Sequence, residues 1–192
     1  MGIPNTVVAQ RFLLQDSKGV VRAVLGVNDQ GEAMLALFDA RGQGRADISV
    51  TAEGLPRVEL SDSAGNTRAL VNVDEQDIPS IALYDGAKAR LVLTVPQDGP
   101  FLTLADEASR RQVTLRGGKG AAEALFEDAS SAGALAIGVH EDRSVGLMIS
   151  GPAATPRLAL VLRGDGHAGL GLIDANGNET SIPPEGTQAP QS

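Results

Sequence analysis

The chain has 192 residues, a net charge of −8, 42% apolar residues, only 3% aromatic residues and no Cys. The apolar fraction is enough for a core and argues against wholesale disorder, while the lack of Cys removes disulfides, thiol catalysis and zinc–thiolate sites together. Scattered basic residues, an acidic balance and few rings weigh against phosphate binding, base stacking and sugar stacking, so no nucleic-acid partner is expected.

In chain order, residues 1–9 read as an N-terminal leader. Met1–Thr6 nominally fits an N-myristoylation pattern, stiffened by Pro4. No signal peptide opens the chain, and no apolar run approaches the ~20 residues of a membrane helix, so a soluble protein without direct membrane insertion is expected.

From Gln10 onward a period of 23 residues appears. Asp16, Asp39, Asp62 and Asp85 are equally spaced, and Arg22, Arg45 and Arg68 each follow an Asp by six. Arg90 comes one residue early, which marks a deletion in the fourth unit. The frame continues, slightly compressed, through Asp106 and Asp128, then Gly151 in place of Asp, to Asp174. This phase defines eight units.

Apolar pairs flank each turn. Unit one has Phe12/Leu14 before its Asp and Leu25/Val27 after it. Unit two has Leu35/Leu37 and Ile48/Val50, unit three Val58/Leu60 and Val71/Val73, unit four Ile81/Leu83 and Leu93/Val95. Units five to seven have Leu102/Leu104 with Val113/Leu115, Ala124/Phe126 with Ile137/Val139, and Leu147/Ile149 with Leu160/Leu162. Unit eight supplies Leu170/Leu172. Of the intervening residues only Leu13, Leu125, Met148 and Val161 are large and apolar. Alternation with period two predicts strands with one buried face. The turns DSKG, DSAG and DANG set Asp first, to accept backbone N–H bonds, and Gly fourth, for a left-handed conformation. Asp39, Asp62 and Asp174 therefore open turns that contain Gly42, Gly65 and Gly177. The alternate turns NDQG, TAEG and QDG are also acidic and Gly-rich.

Residues 10–116 read as regular units one to five, and 117–182 as degenerate units six to eight, with the break near Arg116-Gly117-Gly118-Lys119-Gly120. Ala121 through Ala136 has the Ala-rich composition of a helix, but the repeat frame predicts strands there. Residues 183–192 lack an apolar face and read as a flexible tail.

The segments RFLLQDSKGVVRAVLGV, LALFDARGQGRADISV and VELSDSAGNTRALVNV resemble the repeats of uncharacterised bacterial proteins, in which Leu-x-Leu-x-Asp-x-x-Gly-x-x-Arg-x-x-Leu-x-Val recurs as tandem β-hairpins. The similarity is close over Val8–Val95 and weak afterwards. Ala87 and Lys88 occupy the Gly region of the fourth unit, and later units lose Arg or Asp, so the resemblance does not imply equivalent turns there. Such repeats often follow a membrane helix or coiled coil, which this chain lacks. The resemblance implies a fold and no activity.

One-faced hairpins need a second apolar surface. A four-bladed propeller fits sixteen strands by number, but its blades are apolar on both sides. A solenoid with one unit per coil would stack equivalent Asp residues ~4.8 Å apart. In a meander they lie ~9.6 Å apart, two strands away. The expected fold is therefore all-β: about 15–16 short strands in an elongated one-faced meander, packed in a homo-oligomer, with a trimer favoured. A self-contained β-solenoid or sandwich is the alternative. Leu37, Leu60, Leu83 and Leu104 are expected to be buried on one common face, with Glu59 and Thr103 pointing away from it.

No catalytic, cofactor or metal residues are predicted. His140 and His167 fall in connecting segments and read as exposed loop residues, although Asp142 and Asp165 lie near them. Asp174 through Glu185 imitates a calcium loop, but has Glu179 where that loop needs Gly, and Pro183 and Pro184 follow. Gly117-Gly118-Lys119-Gly120 lacks the spacing of a phosphate loop and reads as a flexible break. Ser130, Ser131 and Ser150 sit in no nucleophile elbow. The expected function is thus a non-enzymatic structural or protein-interaction module, a self-assembling stalk or spacer. The alternative is a ligand-binding or enzymatic domain with a site in the irregular region 117–167.

Overall fold

The computed structural model describes residues 6–130, 133–152, 155–174 and 176–182. The first hairpin is β1 (Arg11–Gln15) and β2 (Val21–Val27), followed by β3 (Ala33–Phe38) with β4 (Gly44–Val50), and β5 (Pro56–Ser61) with β6 (Thr67–Val73). Next come β7 (Pro79–Asp85) with β8 (Lys88–Thr94), and β9 (Phe101–Ala105) with β10 (Arg111–Gly118). The series ends with β11 (Ala121–Asp128), β12 (Gly133–Val139), β13 (Val145–Ser150), β14 (Pro156–Leu162), β15 (Ala168–Ile173) and β16 (Glu179–Ile182). These sixteen strands form one open antiparallel sheet in sequence order, so each repeat contributes two strands to a meander. Every strand pairs with its sequence neighbours, which is the pairing of a meander and not of a solenoid. Within the Ala-rich stretch, Ala121–Asp128 and Gly133–Ala136 are strand, as the frame requires, because Leu125, Phe126 and Leu135 keep the alternation that pairs β11 with β12. The chain divides between Ala89 and Arg90 into two compact units.

The turns follow from local chemistry. The Asp16 N–H donates to Val20 O at 3.0 Å, and the Gly19 N–H returns to Asp16 O at 3.0 Å. Register slips by one residue beside this turn, between Leu14 and Gln15. A tight turn closed by a left-handed residue next to a bulge suits the right-handed twist of a hairpin. The same arrangement recurs at Asp39 and Asp62, each with a register slip beside it. Asp39, Asp62 and Asp174 do open turns, with Gly42, Gly65 and Gly177 inside them at φ of 79°, 84° and 84°. Turns at the other ends of the strands use the same geometry with Asn28, Thr51 or Asp74 in first place. The fourth unit absorbs its deletion in the turn, which shrinks to Gly86-Ala87 between the ends of β7 and β8. Arg90 thereby stays in phase with its strand.

The apolar face is shared as expected, but it is not buried in the single chain. Leu37, Leu60 and Leu83 lie on one face of the first unit and are 45%, 49% and 43% exposed. Leu104, on the corresponding face of the second unit, is 42% exposed. Glu59 and Thr103 are half-buried. The physical reason is that a single layer puts nothing over its aliphatic side, whereas long polar side chains on the other side lie down over their neighbours. Beneath them sit the most enclosed residues, Ala36 at 5%, Ala82 at 6% and Ser49 at 5% exposure. No large side chain among the described residues is fully buried.

Candidate functional site

Two features repeat along the sheet: a ladder of Asp–Arg turns and an open aliphatic face. In the ladder, Asp16 Oδ1 accepts the N–H groups of Lys18 at 2.9 Å and Val20 at 3.1 Å. Asp39 does the same with Arg41 and Gln43, at 2.8 and 3.1 Å. Asp62 accepts from Ala64 and Asn66, at 2.9 and 3.0 Å. The second oxygen of each carboxylate faces the Arg six residues on, with Arg22, Arg45 and Arg68 at 3.5, 3.6 and 3.7 Å. Arg22 Nε then donates to Phe38 O at 3.1 Å, and Arg45 Nε to Ser61 O at 2.9 Å. Each of these arginines thus ties its own turn to the strand that runs into the next Asp. Arg68 reaches Asp85 Oδ1 at 4.0 Å instead, because the shortened turn leaves that carboxylate without its capping role.

The carboxylates of Asp16, Asp39 and Asp62 are thus each engaged by their own turn and by an Arg. Backbone N–H bonds hold the carboxyls of Asp16, Asp39, Asp62 and Asp106 below their usual value. Asp128 is lowered to about 2, chiefly by the Ser130 hydroxyl and backbone N–H. A carboxyl depressed by folding stabilises the folded state above about pH 4, where the unfolded group is also ionised, and loses that contribution as pH falls through its folded value. Thermal unfolding followed from pH 6 to pH 2 is therefore expected to hold a plateau down to about pH 4 and then drop. An unchanged midpoint across that range would remove the Asp caps from the account of stability.

The aliphatic face of the first unit consists of three rows. The middle row is uniformly large: Phe12, Leu25, Leu35, Ile48, Val58, Val71 and Ile81 stand opposite one another from β1 to β7. The row beside the Asp turns alternates, in the order Leu14, Ala23, Leu37, Ala46, Leu60, Ala69, Leu83. The row beside the other turns alternates in the opposite phase, with Val27, Val50 and Val73 separated by Ala33 and Pro56 and followed by Pro79. Thirteen large side chains on this face are 37–64% exposed. In the second unit Leu102, Leu115, Ala124, Ile137, Leu147 and Leu160 form the corresponding middle row, large except at Ala124.

On the opposite face, polar groups satisfy one another. Asp47 and Glu59 stand directly opposite, an unfavourable like-charge pair. Arg57 lies 3.8 Å from Asp47 and donates to Ser49 Oγ at 3.0 Å, while the Thr67 hydroxyl donates to Glu59 at 2.7 Å. A shallow depression here is lined by Arg57, Glu59, Thr67, Asn72 and Tyr84. A second one, in the other unit, is lined by Asp98, Arg116, Lys119, Glu123 and His140. Its charges are also paired, Lys119 with Asp98 at 2.5 Å and Arg116 with Glu123 at 2.6 Å. Polar concavities are therefore not confined to the region 117–167.

The remaining sequence candidates resolve into turn chemistry. His140 and His167 both sit at turns, and His167 Nδ1 lies 3.1 Å from Asp165. Among the described residues no three His, Asp or Glu side chains converge. Asp174 accepts from the backbone of Asn176 and Asn178, at 2.8 and 2.9 Å, and from the Asn178 amide at 2.7 Å. The end of the calcium-like segment, including Glu185, lies outside the described residues, as do Met1–Asn5, Ser131 and the tail 183–192. Gly117–Gly120 is a hairpin end in which Gly118 pairs with Ala121. Ser130 donates to Asp128, and Ser150 is buried at the end of β13. The sequence signal for the Arg links to the next hairpin is the fixed offset of Arg from Asp, which does not by itself name the acceptor. No helix among the described residues is long and apolar enough to cross a membrane. Compared with known proteins, the chain matches no family model and no curated protein.

Proposed function

We propose that this protein is a non-enzymatic structural module that assembles with copies of itself, as a trimer, through its aliphatic sheet face, and serves as a stalk or spacer. The observation that carries this reading is the inverted burial of the sheet: its large aliphatic side chains are exposed and its buried residues are small. At roughly 25 cal/mol per Å², half-exposed Leu, Ile and Val side chains each forgo about 2 kcal/mol, and the rows repeat that deficit strand after strand. A patch of this size exceeds what monomers ordinarily display. The repeated engagement of the Asp carboxylates in turns supports a structural role over a chemical one.

Light scattering coupled to size exclusion at low micromolar concentration tests the reading. The expected mass is three times the single-chain 19.7 kDa. A compact, thermally stable species of single-chain mass would overturn self-assembly.

A further inference from the structure

The three rows of the first unit carry more than a general need for cover. Their residue sizes specify how a second copy approaches. On β3 the margin beside the Asp turns is large and the far margin small, Leu37 with Ala33. On β4 the sizes exchange, Ala46 with Val50, and on β5 they exchange back, Leu60 with Pro56. The same exchange holds on β2, β6 and β7. Every strand from β2 to β7 thus offers one large and one small residue at its two margins, while the middle row stays large throughout.

Building on the self-assembly reading, we propose that three copies pack around an axis along the direction in which strands follow one another. Each strand's Asp-side margin then lies against the far margin of the same strand in the next copy. Rotation about such an axis keeps every strand at its own height. Leu37 of one copy then meets Ala33 of the next, and Ala46 meets Val50. Large faces small at every level, and the phase is correct on each strand without any shift. Three faces closed into a prism converge at the corners and stay deepest in the middle. That shape asks for thin margins and a uniformly large middle row. A two-layer sandwich instead keeps about 10 Å between its sheets from side to side, and has no use for the difference between rows. The thirteen exposed side chains of the first unit present on the order of 1,000 Å² of surface, about what one partner contributes to a stable interface and here shared between two neighbours. A second copy of this chain is the occupant whose margins repeat with the required period and the opposite phase.

The chain has no Cys, so introduced thiols report contacts without background. Leu37→Cys and Ala33→Cys would be made singly and together, and oxidised mildly. Within one chain the two positions are about 13 Å apart along a strand, too far for a disulfide. The double variant is expected to yield a covalent ladder that ends at three chains on a non-reducing gel, and each single variant none. A companion pair guards against misfolding: Leu37→Ala and Ala33→Leu should each lower the unfolding midpoint, and their combination should recover most of the loss. Efficient cross-linking of a single variant, a ladder ending at two, or no cross-links in a protein that still scatters as an oligomer would overturn this arrangement and leave self-assembly standing. A monomer by light scattering would remove both.

Discussion

Leu60→Asp is expected to dissociate the protein and cost several kcal/mol, while Glu59→Ala, one residue away, changes assembly and stability little. Leu60 stands between Ala46 and Ala69 on the aliphatic face. When that face is covered by a partner, a carboxylate there has no donor within reach and must either protonate or keep the face apart. Glu59 points to the other side, where it faces Asp47 across the strands. Removing it forfeits the Thr67 hydrogen bond at 2.7 Å but also relieves a like-charge contact, and the two effects oppose each other. Urea midpoints and solution mass, measured on both variants, check this directly. Equal shifts would mean that the two faces of the sheet do not differ in environment.

The second large effect is expected at a place with no aliphatic side chain at all. A Cβ on Gly99 would lie 1.9 Å from Gly117 O, and one on Gly118 would lie 2.0 Å from Asp98 O. Neither approach can be relieved by rotating a side chain, since both partners are backbone. Gly99 also has a φ of +117°, a conformation that L side chains rarely adopt. Gly99→Ala is therefore expected to cost about 3 kcal/mol or more, from overpacking and backbone strain together. Gly65→Ala is the control, because Gly65 is also left-handed, at +84°, but has nothing within 4 Å of a built Cβ. Its cost is the conformational part alone, about 1 kcal/mol. If Gly65→Ala proves as damaging as Gly99→Ala, close approach is not what those glycines permit.

The strand frame was legible because three signals with different causes agree. Apolar alternation marks the faces, Asp-x-x-Gly marks the turns, and the constant spacing fixes the phase. That agreement also decided the Ala-rich stretch from Ala121 to Ala136, where composition alone favours a helix. What escaped was whatever depends on geometry across strands. Sequence shows Arg22 six residues after Asp16, but not that its Nε reaches Phe38 O, sixteen residues further on. How exposed Leu37 and Glu59 are in the single chain escapes the sequence for a related reason. Period two says which residues share a face, while the environment of that face depends on what lies over it. The glycines of 117–120 have the composition of a slack loop. Gly118 lets two backbones touch, and nothing local reveals a neighbour that arrives from Asp98 and Gly99.

A last consequence concerns the order in which the chain can acquire its structure. Hydrogen-bonded neighbours in the sheet are always neighbours in sequence, an uncommon situation for an all-β protein. Sandwiches and barrels wait for distant strands to meet, and their folding slows with the chain length that each closure must span. Here each new strand needs only the one before it, already in place. A chain leaving the ribosome can add hairpins as they emerge, growing from its first strands toward its last, with no step that requires the C-terminal half. The template is carried forward by its own free edge, and only the encounter between finished chains depends on concentration.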